Sequence, residues 1–475
     1  MADLALISTE LWLAALSIVV LVVDLISPNA GKRWAGWICG LGIVGLLLEL
    51  SSRSNAWGIG FWGMWRFDAL ACYMKGLFLL AAGLVVLMTR RFGRKLDHGH
   101  GEFYLLILYA TLGMMVLASI GDLLMLFIGL ELVTFSLYIM TAYLRTDARS
   151  VEAGMKYLIL GALSSGLVLF GIAFLYGVTG STQLSAIRDA VLANPLQPTP
   201  LRFGLLLVLS GLAFKIAAVP FHLWVPDVYE GAPTPVTAFL AIGSKAAGFA
   251  VLLRIAGEVM APGWGVWAML LAVMAAMTML YGNLAAMPQQ NIKRLLGFSS
   301  IGHAGYMLMG LAAGTTAGAT GVAFYLLAYL LTSACAFFVV VLVGNALDSD
   351  ELADYTGLSR RSPQLAAALF IALLSLAGVP PLAGFFGKLL LFKAVVEQQL
   401  LWLALIGAAN VVFSLYYYML IVKRMYMVAP KHTSPITIDP RSKLILYALC
   451  ASILILGTFP APILNLASAA TAALF

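Results

Sequence analysis

Apolar runs of about 20 residues follow one another from residue 4 to residue 466, separated by short connections. A helix needs roughly 20 such residues to cross the hydrocarbon core of a bilayer. About fourteen runs approach that length: near 4–26, 35–51, 69–89, 103–119, 121–143, 155–178, 201–220, 233–256, 265–285, 297–312, 318–345, 363–380 (continuing as a broken segment to 396), 402–422 and 443–466. The expected fold is therefore an all-α polytopic membrane protein. Lipid leaves an unpaired backbone group without a partner, so only helices and closed barrels span a bilayer. The short alternating segments of a barrel are missing here. Composition points the same way: 62% of residues are hydrophobic and 10% are charged, against about 25% charged in a soluble domain. The first run lacks a basic flank and a convincing cleavage site, so it reads as a retained span rather than a signal peptide.

The net charge of +7 is an orientation signal. Every second connection, beginning with the first, gathers Lys and Arg, save the Pro-rich turn near 226–235, which has none: Lys32 and Arg33; Arg90, Arg91, Arg94 and Lys95; Arg145 and Arg149; Lys293 and Arg294; Arg360 and Arg361; and Lys423, Arg424, Lys431, Arg441 and Lys443. The opposite side holds Arg53, Arg66, Arg188, Arg202 and Arg254. Lys and Arg concentrate on the cytoplasmic side of membrane proteins, which places both termini on the non-cytoplasmic side. No basic patch interleaved with aromatic residues suggests nucleic acid.

The six basic residues not assigned to a connection, Lys75, Lys156, Lys215, Lys245, Lys388 and Lys393, fall within or at the edges of the runs. All are lysines, and a buried lysine can release its proton where an arginine cannot. An ionisable residue at the bilayer centre costs about 2.5–3.5 kcal/mol on insertion scales and marks a functional site by default. Glu131, in "DLLMLFIGLELVTFSLYIM", is the clearest acidic one, and Lys215 and Lys245 each lie deep in a run. A carboxylate beside an ammonium holds both charged, and separating them frees a proton.

Two runs are interrupted at Val-Pro, at "AAVPFHLW" (217–224) and "AGVPPLAGFFGK" (377–388), each with a lysine nearby. Broken helices in corresponding positions of two halves mark ion-handling sites in transporters built from repeats. Pro220 removes a backbone donor and frees the carbonyl of Ile216, with Lys215 and His222 on either side. Histidine exchanges protons near neutral pH.

Simpler readings compete at several positions. Lys75 and Lys393 can snorkel to an interface. Asp24 and Glu49 lie near run ends and read as interfacial. Lys156 is placed to pair with Glu152 as an i,i+4 surface pair, and His303 can tie neighbouring helices together. "GLGIVG" (40–45) matches a nucleotide-loop pattern but sits inside an apolar run with no strand before it, so it reads as small-residue helix packing. Cys39, Cys72, Cys335 and Cys450 form no Cys-x-x-Cys pair and read as apolar fillers. His222 with His303 is the sole histidine pair in the runs that could ligate a haem; His98, His100 and His432 fall in connections.

The run "FKIAAVPFHLWVPDVYEGAPTPVTAFLAIGSKAAGFA" (214–250) resembles the signature of the antiporter-like membrane subunits of respiratory complex I, the NADH-quinone oxidoreductase. "GDLLMLFIGLELVTFSLYIM" (121–140), "NIKRLLGFSSIGHAGYMLMG" (291–310) and "LSLAGVPPLAGFFGKLLLF" (374–392) extend the resemblance over nearly the whole chain. It implies fourteen transmembrane helices with two inverted five-helix repeats, each containing one Pro-broken helix. Here these would be a three-helix segment at 1–100, repeats at 103–256 and 265–425, and a C-terminal helix at 443–475.

The resemblance also implies roles. Glu131 would pair with Lys215, Lys245 would lead to the second half-channel, and Lys388 would serve the output side. His222, Lys156 and His303 would relay protons along the polar axis. Lys75 has no implied role. The implied function is proton translocation driven by electron transfer from NADH to quinone. NADH, FMN, iron–sulfur clusters and quinone would belong to partner subunits, and no cofactor or metal to this chain. Its partners would be the neighbouring antiporter-like and small membrane subunits, the peripheral redox arm and the lipid of a bacterial inner membrane. Two alternatives stay open: a cation/proton antiporter subunit, and a subunit of a ferredoxin- or hydrogenase-linked complex.

Overall fold

Acidic and amide residues in the connections decide where several helices begin. The first amides of a helix have no partner within it, and short polar side chains accept from them. Asp68 takes the amide of Ala71 at 2.8 Å, Asp122 that of Leu124 at 2.7 Å, and Asn291 those of Lys293 and Arg294 at 3.0 and 3.1 Å. The computed structural model describes residues 2–26, 28–53, 56–96, 99–193, 199–261, 264–430 and 434–474; the side chains of residues 2, 28–33 and 94 are not among what it describes. His98, Lys431 and His432, and the side chains of Lys32, Arg33 and Arg94, thus lie outside the described residues.

Among the described residues, thirteen helical segments are long and apolar enough to cross a membrane. In chain order they are Ser8–Ile26, Trp34–Ser52, Ala69–Phe92, His100–Ala118, Leu123–Thr141, Ala148–Thr179, Thr199–Ile216, Thr234–Met260, Trp264–Ala286, Ile292–Ala312, Thr316–Leu347, Leu401–Met427 and Pro440–Thr458. The remaining run is divided into two 15-residue helices, Pro363–Ala377 and Ala383–Glu397. The expectation of an all-α polytopic fold is met. Counting the divided pair as the twelfth, the spans keep the order read from the sequence.

The chain forms two compact units. One comprises residues 1–217, 231–270 and 468–475; it holds the first eight spans and a short hairpin pairing Gly58–Gly60 with Trp65–Phe67. The other comprises residues 218–230 and 271–467 and holds most of the ninth span and the rest to the fourteenth. Within each unit one lysine- or histidine-bearing span is interior: the eighth, Thr234–Met260, and the tenth, Ile292–Ala312, are buried along their whole apolar windows.

The structure corrects the expectation that no arginine is buried within a span. Arg254 is 1% exposed in the last turn of the helix Lys245–Ile255. Its guanidinium grips both oxygens of Asp68 at 2.8 and 3.0 Å and donates to the Ala118 carbonyl at 2.8 Å. Glu258, itself bonded to Arg66, lies 3.5 Å away. A buried cation is tolerated when its donors are matched this way. Burial disfavours the charged form of Asp68, but the Arg254 guanidinium outweighs it and holds the carboxyl below its ordinary range.

Lys75 is corrected as well. It does not snorkel: it is fully buried and forms an ion pair with Glu10 at 2.8 Å. Lys393 is exposed and lies 3.7 Å from Glu397. Glu49 is only partly exposed and accepts from the Ser8 and Thr9 hydroxyls at 2.6 and 2.7 Å. Cys335 and Cys450, far apart in sequence, meet with their sulfurs 3.9 Å apart.

Candidate functional site

The seventh span ends as a helix at Ile216, and the chain crosses Pro220 in turns before the helix Val225–Gly231 begins. Ala217 adopts a positive φ of 63°, a left-handed conformation costing a non-glycine residue roughly 1–2 kcal/mol. Such strain persists where the surroundings enforce it. Lys215 stands in the last turn before the break and is 3% exposed. The carbonyl end of a helix carries partial negative charge and favours a cation there. Its Nζ has no hydrogen-bond partner among the described residues.

Glu131 lies within electrostatic range of Lys215, and its Oε1 is likewise buried without a hydrogen-bond partner. Tyr138 and Tyr157 pack edge to face at 4.8 Å, and Tyr157 stacks on Phe214, the residue before Lys215. A Cβ at Gly161 would overlap the Tyr138 hydroxyl, so only glycine admits that ring. Gly248 of the eighth span accommodates the stem of Lys215, whose Cγ would lie 3.4 Å from a Cβ there. Residues three apart share a helix face, so Lys215 packs on the face that carries Lys245. Lys245 is 2% exposed and directly follows a π-helical turn, Leu240–Ser244. Single π turns inside α-helices are frequent at functional sites.

In the other unit, His222 is 5% exposed and its ring meets that of Tyr281 edge on at 4.1 Å. The Val219 amide, which the break takes out of helical bonding, donates to Thr278 at 3.0 Å. His303 is held between two hydroxyls: Nδ1 lies 2.7 Å from Tyr325 and Nε2 3.2 Å from Tyr418. Tyr418 continues to Ser299.

The second break, between Ala377 and Ala383, surrounds Lys388. Its Nζ donates to the Leu376 and Ala377 carbonyls at 2.9 and 3.0 Å and sits 4.6 Å above the Tyr306 ring. Gly378 turns the chain at φ 89°, and the Ser375 hydroxyl accepts the Gly384 amide at 3.1 Å. Two sequence motifs also meet: Arg294 of "NIKRLL" binds Asp227 at 2.7 Å and Glu230 at 2.9 Å of "PDVYEG".

The structure thus buries Lys215, Lys245, Lys388, His222 and His303, and leaves Glu131 half-buried. Lys156 differs. It is 42% exposed and bonded to Glu152 at 2.7 Å, as an i,i+4 surface pair.

Residues 120–414 match the family described as NADH:quinone oxidoreductase/Mrp antiporter, TM. The sequence is 43% identical to NADH-quinone oxidoreductase subunit N of Desulforamulus reducens, covering 98% of each chain. The chain belongs to the subunit N family of NADH-quinone oxidoreductase.

Solved structures agree with that membership. The fold matches a chain of respiratory complex I from Thermus thermophilus with bound aureothin at a TM-score of 0.84 and 34% identity, over 97% of this chain and 99% of that one. It also matches a chain of the membrane-bound sulfane sulfur reductase, an archaeal respiratory membrane complex, at a TM-score of 0.85 and 27% identity, over 100% and 97%.

In this subunit N family member, sequence reasoning missed Thr278, Tyr306, Tyr325, Tyr418 and Ser299. A signal was present: a tyrosine inside an apolar run must find a partner for its hydroxyl when buried. It missed the Glu10–Lys75 pair because the two residues lie in different spans. The π turn before Lys245 leaves no mark in composition.

Proposed function

We propose that this chain is a proton-translocating membrane-arm subunit of NADH-quinone oxidoreductase, and that Glu131, Lys215, Lys245 and Lys388 carry the protons. The observation that carries the reading is Lys215: a buried lysine at the carbonyl end of a broken span, without a hydrogen bond, within electrostatic range of Glu131. Its charge depends on that carboxylate, so moving the carboxylate's charge makes the lysine release or rebind a proton. Lys245 takes the proton onward from the same helix face. His303, between Tyr325 and Tyr418, hands it along by exchanging which ring nitrogen is protonated. Lys388 receives it at the second break. His222 and Lys156 serve as relays toward the ends of the path.

Electrons do not pass through this chain. NADH, FMN, iron–sulfur clusters and quinone reside in partner subunits, whose redox work shifts the Glu131–Lys215 pair. In this reading a three-helix segment at 1–100 precedes an antiporter-like repeat at 103–256, and an inverted repeat at 265–425 and the C-terminal helix at 443–475 complete the design. Both termini face the non-cytoplasmic side of a bacterial inner membrane. Glu131 lies on the stripe of its span marked by the exposed Leu124, Ile128, Phe135 and Ile139. A carboxylate on such a stripe suits a neighbouring protein subunit better than lipid.

The test begins with a tagged chain extracted in mild detergent. Migration with an NADH-oxidising, flavin- and iron–sulfur-containing assembly supports the proposal. Extraction with membrane subunits alone would instead favour the antiporter reading. In vesicles carrying the assembled complex, Lys215→Ala should lower the protons pumped per NADH several-fold; unchanged pumping would remove Lys215 from the path.

A further inference from the structure

The proposed path uses Lys215, Lys245 and Lys388 and leaves Lys75, the most deeply buried lysine among the described residues, unexplained. Lys75 is the seventh residue of the helix Ala69–Phe92 and is fully buried. Glu10, the third residue of the helix Ser8–Ile26, is 6% exposed and faces it at 2.8 Å. Apart from that ion pair, neither oxygen of Glu10 nor the nitrogen of Lys75 has a hydrogen-bond partner among the described residues. The ammonium lies 5.0 Å from the Trp65 ring centre and 4.6 Å from that of Phe67, both buried. A purely structural ion pair is an expensive way to join two helices, because desolvation consumes most of its Coulomb attraction. Well-packed apolar residues of similar size do as well or better.

Partly exposed charged groups stand within electrostatic range of the pair, Arg53 among them. Thr9, beside Glu10 in sequence, donates to Glu49 at 2.7 Å, and Glu49 pairs with Arg53 at 3.7 Å; both of those side chains are partly exposed. The titratable and charged groups around the pair are therefore Glu10 on the first span, Glu49 and Arg53 on the second, and Cys72 and Asp68 beside Lys75 on the third.

We propose that Glu10 and Lys75 form an additional proton-exchange site, in the N-terminal helices and outside the Glu131–Lys215–Lys245–Lys388 path. In the exchange, the Lys75 ammonium passes a proton to the Glu10 carboxylate, leaving amine and carboxylic acid. The proton leaves toward Glu49, and the reverse sequence reloads the lysine. Charge and protons balance at each step, and no other reactant is involved. This inference rests on the proton-translocating reading above.

Two variants separate exchange from scaffolding. Glu10→Gln with Lys75→Met removes both charges at once, so neither partner is left as an uncompensated buried ion. Lys75→Arg keeps the ion pair but fixes its charge, since arginine does not release its proton at accessible pH. The assembled complex is placed in vesicles, and protons pumped per NADH oxidised are measured from about pH 6 to about pH 9, the range over which exchange with a buried lysine would register. Lys215→Ala serves as the reference. The expected result is assembled complex with fewer protons per NADH in both variants and a changed pH profile. Wild-type ratios in both, with Lys215→Ala impaired, overturn the inference and leave the main path standing. Wild-type ratios in all three overturn both. Loss of assembly in both variants assigns the pair to folding and also overturns it; if only the double variant fails, Lys75→Arg decides.

Discussion

The two helix breaks solve one problem in different ways. Each puts a buried lysine at the carbonyl end of a half-helix. At the second break the ammonium of Lys388 is solvated by the two carbonyls that the break exposes, Leu376 and Ala377, and by the face of Tyr306. Protein replaces water around the head group. At the first break Lys215 has no hydrogen-bond partner among the described residues, and the freed Val219 amide is satisfied by Thr278. Lys215 depends on the charge of Glu131, whereas Lys388 depends on fixed dipoles. A site governed by a neighbouring charge can be switched by moving that charge. A site held by backbone is steady. On the proposed path, the first break would act as the switch and the second as a receiving station.

That contrast sets what each substitution should do. Lys215→Ala should have the largest effect on pumping, since it removes the switched group, while orphaning no backbone carbonyl. Lys388→Ala should also lower pumping, and it should cost stability: two buried carbonyls lose charge-assisted bonds worth about 1.5–3 kcal/mol each. A thermal melt of the purified complex alongside vesicle pumping compares the two; equal melts would erase the distinction. Gly378→Ala comes next. It forces a side chain onto a residue at φ 89° and brings a Cβ to 3.0 Å from Lys388 Cδ. A cost of about 1–3 kcal/mol is expected, with impaired pumping as Lys388 is displaced; an unchanged melt and rate would show that the second break is not rigid. Tyr306→Phe is the mildest. It keeps the ring under Lys388 but deletes a 3.0 Å bond to the Gly407 carbonyl, so a loss of about 1 kcal/mol with near-normal pumping is expected. A large pumping defect would mean that the hydroxyl itself carries protons.

Much of the architecture is legible in the sequence because lipid permits so few solutions. Run length fixes the spans, and a proline in an apolar run is an expected break. Both breaks are where Pro220 and the Pro380–Pro381 pair place them. Ionisable residues in the runs are visible for the same reason, since lipid tolerates few of them. Their surroundings are harder to read. Arg254 is counted with the connections, and what lets it be buried is chiefly Asp68, 186 residues away, which no local spacing reveals. Lys75 reads as interfacial because Glu10 belongs to another span. Conversely, the Lys156–Glu152 pair is readable, since i,i+4 spacing is local.

The sequence by itself determined an all-α membrane fold, the order of its spans, the two interruptions and the buried charges that invite a function. Each follows from a local property: length, apolarity, a missing amide hydrogen, or the cost of a charge in lipid. Only the tertiary structure decided which charges are matched and which are left to respond. It gave Lys388 two carbonyls, His303 two tyrosine hydroxyls, Arg254 a carboxylate and Lys75 a glutamate, and it left Lys215 without a hydrogen bond. Partners in a membrane protein come from different helices, and helix packing, rather than spacing along the chain, brings them within reach.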